Sequence, residues 1–212
     1  MASYDDSDFV TVSYPEKPCV LVLGHSFVAR LGDDVLSDHK LKPDFDLRHV
    51  HVRCMGFRGG NIFTLLDDDR HRLDMELKTN HPTLVVLQIG GNDIDCRGFD
   101  EEIYKSSVRH FIFQLQTLYQ VEKIALCEIF PRLRTRSVSV DNYHAVKDRI
   151  NRDLMVHYSV DNPTSNVVFW FHRGGITTTA DYFCHDKVHL NKEGTYKFYH
   201  SIRRVINYCY PE

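Results

Sequence analysis

Four nearly unbroken apolar runs set the first constraint on this fold: VLVLGHSF from Val20, TLVVLQIGGND from Thr83, KIALCEIFP from Lys123 and NVVFWFH from Asn166. A strand with one wet face alternates apolar and polar residues, whereas a strand covered on both faces has little room for polar side chains. Runs of this kind therefore predict a parallel sheet sandwiched between helices. A fifth run, Leu47 to Arg53, does alternate and is expected at the edge of the sheet.

The segments between the runs carry helical periodicity. Val108, Phe111, Ile112, Leu115 and Leu118 share a face, with Asp100 placed to cap that helix. Asp141 is expected to cap a helix bearing Val146, Ile150 and Leu154, and Asn191 one bearing Phe198, Ile202, Val205 and Ile206. Strand alternating with helix predicts an α/β domain with a central parallel sheet, whose site lies beyond the carboxyl ends of the strands. Residues 1–18, acidic and without a sustained period, read as an extended N-terminal arm, and 19–212 as one domain.

Composition narrows the function classes. A net charge of -3 gives no global field that would draw the chain onto a phosphate backbone or an anionic membrane, so nucleic acid is not an expected partner of this domain. Arg132, Arg134 and Arg136 form a small basic cluster that reads either as a phosphate contact or as a solvated loop. The six cysteines show no CxxC pair and fit reduced residues of an intracellular protein, with Cys19 and Cys127 beside strand-like runs. No apolar run is long enough to span a membrane, and residues 1–18 lack the features of a signal peptide, so a cytoplasmic location is expected. Oligomeric state is not legible.

Chemistry is sought where the runs end. Gly24-His25-Ser26 closes the first, placing a hydroxyl at a strand-to-helix turn; Ser26 is there either a nucleophile or a helix cap. Gly56 to Asn61 is a glycine-rich loop without the GK[ST] ending of a phosphate loop, and reads as a ligand-facing backbone or a tight turn. Gly90-Gly91-Asn92-Asp93 closes the strand run from Thr83, with Asn92 either an amide donor or a turn cap. Asp186-Lys187-Val188-His189 precedes the last helix. At this spacing an Asp can hold the Nδ1–H of the His and leave Nε2 to accept a proton, although with thirteen histidines a lone pair of this kind is often structural.

The ordered set Ser, Gly, Asn, Asp/His resembles the SGNH (GDSL-like) hydrolase family across nearly the whole domain. That resemblance implies a three-layer α/β/α sandwich with a five-stranded, flavodoxin-like parallel sheet, and a serine esterase or acetylhydrolase cleaving a small acyl ester. It assigns Ser26, Asp186 and His189 as a catalytic triad and Ser26, Gly60 and Asn92 to the oxyanion hole, with Gly59 as the alternative to Gly60. It calls for no cofactor and no metal; a metal site of His185, Asp186 and His189 is a third reading of the same motif. The family's usual Gly-Asp-Ser is Gly24-His25-Ser26 here. That exchange supports an alternative in which the domain keeps the fold without turnover and acts as a binding or scaffold module. The GHSF block also resembles esterase-like domains of some animal retroelement proteins, which would make the chain part of a larger polypeptide.

Overall fold

The structure, a computed structural model, describes residues 17–67 and 71–211; most of the expected N-terminal arm lies outside the described residues. Five parallel strands form one sheet: β1 (Cys19–Gly24), β2 (His51–Gly56), β3 (Leu84–Gln88), β4 (Lys123–Cys127) and β5 (Val167–Trp170). Their order is β2-β1-β3-β4-β5, the flavodoxin-like arrangement. The helices are α1 (Ser26–Ser37), α2 (Ile62–Leu66), α3 (His71–Asn80), α4 (Gly91–Ile94), α5 (Glu101–Leu118), α6 (Val140–Val156) and α7 (Lys192–Cys209). No described helix is long and apolar enough to cross a membrane.

The apolar runs bury both faces, as their composition requires. Leu21, Leu23, Val85, Leu87, Ile124 and Leu126 face a core shared with α2, α3, α5 and α6. Val20, Val22, Leu84, Val86 and Ala125 face the opposite core, filled by Val28 and Leu31 of α1 and Phe198, Ile202 and Ile206 of α7. Each fully buried side chain of this size contributes ~1.5–3 kcal/mol.

Three local expectations are corrected. The alternating run is a strand only from His51; Leu47 and Val50 are buried in a turn whose Phe45 and Asp46 take left-handed φ values of 55° and 57°, so the edge strand starts four residues later than its pattern suggests. Ser139, not Asp141, caps α6, accepting from the Asn142 N–H at 3.2 Å; Asp141 sits in the first turn, where its charge suits the helix dipole. Leu118 is 64% exposed because α5 ends there and the chain folds back, giving the buried place to Val121, whose N–H donates to the Leu115 carbonyl. Asp100 and Asn191 do cap α5 and α7, accepting from Ile103 N–H and Gly194 N–H. The short helices α2 and α3 carried too little period to be read in advance.

In-register pairing aligns the strand ends: Gly24 lies opposite Gly56 on one side and Gln88 on the other. The first turn of α1 passes directly over this point. A Cβ on Gly56 would lie 2.1 Å from the Ala29 nitrogen, so only glycine lets α1 close onto β2. Gly56→Ala should destabilise the fold by about 1–3 kcal/mol through overpacking against backbone, read as a lower urea midpoint with unchanged slope.

Candidate active site

Every strand ends at the same edge, so the loops after β1, β2, β3 and β4 converge there. Ser26 begins α1, where its N–H has no intrahelical partner. Its Oγ lies 3.0 Å from His189 Nε2, and His189 Nδ1 lies 2.7 Å from Asp186 Oδ2. Asp186 can only accept at Nδ1, so the proton sits there and Nε2 faces the serine as an acceptor.

A long return from β5 to α7 delivers the Asp/His pair. Within it, Cys184 N–H donates to the His189 carbonyl at 2.6 Å and Lys187 N–H to the Cys184 carbonyl at 2.9 Å, closing a tight loop in which Lys187 is left-handed at φ 64°. Leu133 N–H donates to the Lys187 carbonyl and moors this loop to the segment after β4. Asp186 Oδ1 accepts from the N–H groups of Val188 and His189, both at 2.9 Å. Burial would raise the Asp186 carboxyl, but the bonds from His189 and Val188 outweigh it and hold the group well below the usual carboxylate range.

Asn92 sits in α4, entered through Gly90, which takes φ 104° and would drive a Cβ to 2.5 Å from the Tyr104 hydroxyl. Its amide orientation is fixed by partners that each play one role. Arg132, a pure donor, is 2.5 Å from Oδ1, and the Gly60 carbonyl, a pure acceptor, is 2.7 Å from Nδ2. One Nδ2–H remains for another acceptor.

Gly60 and Gly59, the two candidates for the same role, present their N–H groups differently. Residues 57–60 form a tight turn in which Gly60 N–H donates to the Phe57 carbonyl at 3.1 Å, so this amide is already engaged. Gly59, left-handed at φ 74°, lines the cleft beside Ser26 and Asn92, and its N–H meets no acceptor among the described residues. Asn61 caps α2 by accepting from Thr64 N–H.

Arg132 was legible only as part of a basic cluster, and no motif marks it. It is 5% exposed and pairs with Asp95 at 2.7 Å, while Asp95 also accepts from Arg136 N–H and Ser137 N–H. Arg134 and Arg136 are exposed, as a solvated loop would have them.

His25, standing where the family has Asp, is 4% exposed. Burial pushes its imidazole down to about 4, against a hydrogen bond to the Asn61 backbone that favours the proton, and Arg132 pushes it down further. The ring thus ties the Ser26 turn to the Asn61 loop by donating, where a carboxylate would accept. Its Nε2 is buried without a partner.

Beneath the site a buried relay has one consistent direction. Trp170 Nε1–H donates to Ser201 Oγ at 3.1 Å, and the Ser201 hydroxyl donates to His172 Nδ1 at 2.9 Å because the neutral ring carries its proton on Nε2. His172 Nε2–H then donates to Gln88 Oε1 at 2.7 Å, and Gln88 Nε2 to the Glu128 carbonyl at 3.1 Å. Burial holds His172 neutral, its imidazole pushed down to about 3. Gln88 is the last residue of β3, two before Gly90, so the relay braces the loop that carries Asn92 from below.

Ser26 and His189 line a cleft of about 430 Å³, whereas the space among Ser26, Phe27, Ile89 and Phe130 is about 10 Å³. Among the described residues no group of three or more His, Cys, Asp or Glu side chains is arranged to hold a metal ion, so His185 does not join Asp186 and His189 in such a set.

No protein-family model and no curated protein sequence matches the chain. Solved structures do. A GDSL-like lipase from Bacteroides thetaiotaomicron matches with 16% identity over 92% of this chain and 91% of that one, at a TM-score of 0.63. A carbohydrate esterase family 3 protein from Talaromyces cellulolyticus matches with 16% identity, 91% and 98% coverage and a TM-score of 0.62. A catalytic mutant of an acetylxylan esterase from Geobacillus stearothermophilus matches with 16% identity, 89% and 94% coverage and a TM-score of 0.56. At such identities the likeness is one of fold: this chain has the three-layer α/β/α architecture of the GDSL-like hydrolases.

Two outcomes follow for stability. Arg132→Met leaves the Asp95 carboxylate, whose side chain is 1% exposed, without its counter-charge and should cost about 3–5 kcal/mol in urea unfolding. His25 binds its proton less well folded than unfolded, so acidification favours the unfolded chain. Its stability contribution should be complete above about pH 6.5 and fall on the order of 3 kcal/mol by about pH 4. Asp93, pushed up to about 6 by burial against hydrogen bonds from Ile62 N–H and its own loop, acts in the opposite sense. The difference between wild type and His25→Gln in pH-dependent unfolding therefore isolates the histidine.

Proposed function

We propose that this protein is a serine-dependent carboxylic ester hydrolase of the SGNH type that forms an acyl-enzyme on Ser26. The observation that carries the reading is the continuous hydrogen-bonded line from Asp186 through His189 to Ser26 Oγ, at 2.7 and 3.0 Å. The fold shared with lipases and esterases supports it.

In this mechanism Ser26 Oγ attacks the ester carbonyl carbon as its proton passes to His189 Nε2. The ionised Asp186 holds the imidazole in its tautomer and stabilises the positive ring. The oxyanion is met by Ser26 N–H and by the free Nδ2–H of Asn92; the glycine loop contributes Gly59 N–H, while the Gly60 carbonyl holds Asn92 in place. Collapse expels the alcohol, which takes the proton from His189. Water, deprotonated by the same Nε2, then attacks the acyl carbon and releases the carboxylic acid and free Ser26.

The roughly water-sized space behind Ser26 leaves no room for a long chain to descend toward β3, which favours a small acyl group. The exchange at position 25 is the one feature that supports a non-catalytic scaffold, whereas the His25 tether to Asn61 supports a site that remains organised without the usual carboxylate.

A fluorophosphonate probe should label wild-type protein on Ser26, located by peptide mass spectrometry, and should fail on folded Ser26→Ala and His189→Ala. Hydrolysis of para-nitrophenyl acetate should fall by at least about 10³-fold in either variant. Folded wild-type protein that takes no label on Ser26 would sink the esterase reading.

A further inference from the structure

The walls of the cleft carry an unusual charge for this chain. The protein as a whole has 29 acidic residues against 26 Lys and Arg, yet among the described residues the cleft containing Ser26 and His189 is lined by Arg30, Arg58, Arg97, Arg132 and Arg136, with Asp95 the one acidic side chain. Asp95 is spent on Arg132 and on two backbone N–H groups, and offers nothing to the opening.

The remaining charges are unequally compensated. Arg58 pairs with the exposed Asp33 outside the cleft. Arg30 is 3.9 Å from Asp186, a carboxylate already accepting from the His189 ring and two N–H groups, and its Nε is buried without a partner. Arg97 and Arg136 have no acidic partner among the described residues. These two are not stray surface side chains. Asp95 lies two residues before Arg97 and accepts from Arg136 N–H at 2.8 Å, so one buried carboxylate anchors both segments that present the free guanidinium groups beside the nucleophile.

Guanidinium groups without internal partners, gathered in a partly enclosed space, attract anions more strongly than the same groups on an open surface, and their planar forks suit carboxylate and phosphate oxygens. The chain as a whole carries a net charge of -3, so its overall field does not add to the attraction of this cleft, which therefore fits a small charged molecule better than a polyanionic backbone.

We propose that the cleft selects esters carrying a negative charge on the acyl or the alcohol portion, read by Arg97 and Arg136 with Arg30 and Arg58 around them. The proposal rests on the esterase reading above and deepens it to a substrate class.

Matched ester pairs test it and distinguish the two sources of charge. On the acyl side, the para-nitrophenyl monoester of adipic acid is compared with para-nitrophenyl hexanoate; on the alcohol side, para-acetoxybenzoate is compared with its methyl ester. At least one anionic member should exceed its neutral partner in kcat/KM by about tenfold, and high salt should shrink that ratio. Arg97→Gln/Arg136→Gln should lower the ratio by about fivefold or more, with both sites exposed and the fold retained. Arg134→Gln, which does not line the cleft, should leave it unchanged. Equal turnover of both members in both pairs, with Ser26 still labelled by fluorophosphonate, would overturn the anion preference and spare the esterase. Absence of both labelling and turnover would overturn the esterase reading, and this inference with it.

Discussion

The buried pairing of Asp95 with Arg132 ties the segment after α4 to the segment after β4. Asp95 follows α4, whose first turn carries Asn92; Arg132 follows β4, an adjacent strand of the sheet. Through one 2.7 Å contact the two loops become a unit, and the second arm of the guanidinium sets the Asn92 amide. A pair this buried recovers its desolvation cost only when every oxygen is partnered, and the Arg136 and Ser137 N–H groups supply that completion. The consequence is orientational: an amide held between a pure donor and a pure acceptor cannot flip, so its spare hydrogen is held in one place.

A second polar construction works at greater depth. The relay from Trp170 through Ser201 and His172 to Gln88 crosses from α7 to β3 between the two ends of the sheet, wholly inside the protein. A buried donor left without an acceptor costs more than the bond returns, so each member constrains the tautomer or rotamer of the next. His172, stacked on Phe130 at 4.6 Å, is thereby a neutral structural histidine, whereas His189, half in the cleft and tied to a carboxylate, is placed for proton transfer. The same side-chain type serves opposite ends because burial and partners differ.

Charge is organised by the same logic. Acidic groups near the site are consumed internally: Asp95 by Arg132, Asp186 by His189 and two N–H groups, Asp93 in part by Ile62 N–H. What faces solvent at the cleft is the uncompensated arginine set. A net-acidic chain thus gathers arginines around Ser26, a feature that no global charge count carries.

The sequence by itself determined the layers, the parallel sense of the sheet and the short motifs that bear Ser26, Asp186 and His189, because these follow from local signals. Two-sided burial forces unbroken apolar runs, helical faces repeat at a short period, and the Ser26, Asn92 and Asp186/His189 motifs sit at run ends or beside a helix cap. What only the tertiary structure decided are matters of contact between distant segments. The edge strand begins at His51 because Phe45 and Leu47 fill the core from a turn. Gly60 holds Asn92 by its carbonyl while Gly59 faces the cleft, since the turn engages the Gly60 N–H. Arg132 leaves its apparent surface cluster because Asp95, thirty-seven positions away, offers it a buried partner. Periodicity encodes which face of an element is apolar, but a pairwise contact across the sheet leaves no period in the chain. Its cause is the packing geometry that brings the two groups together.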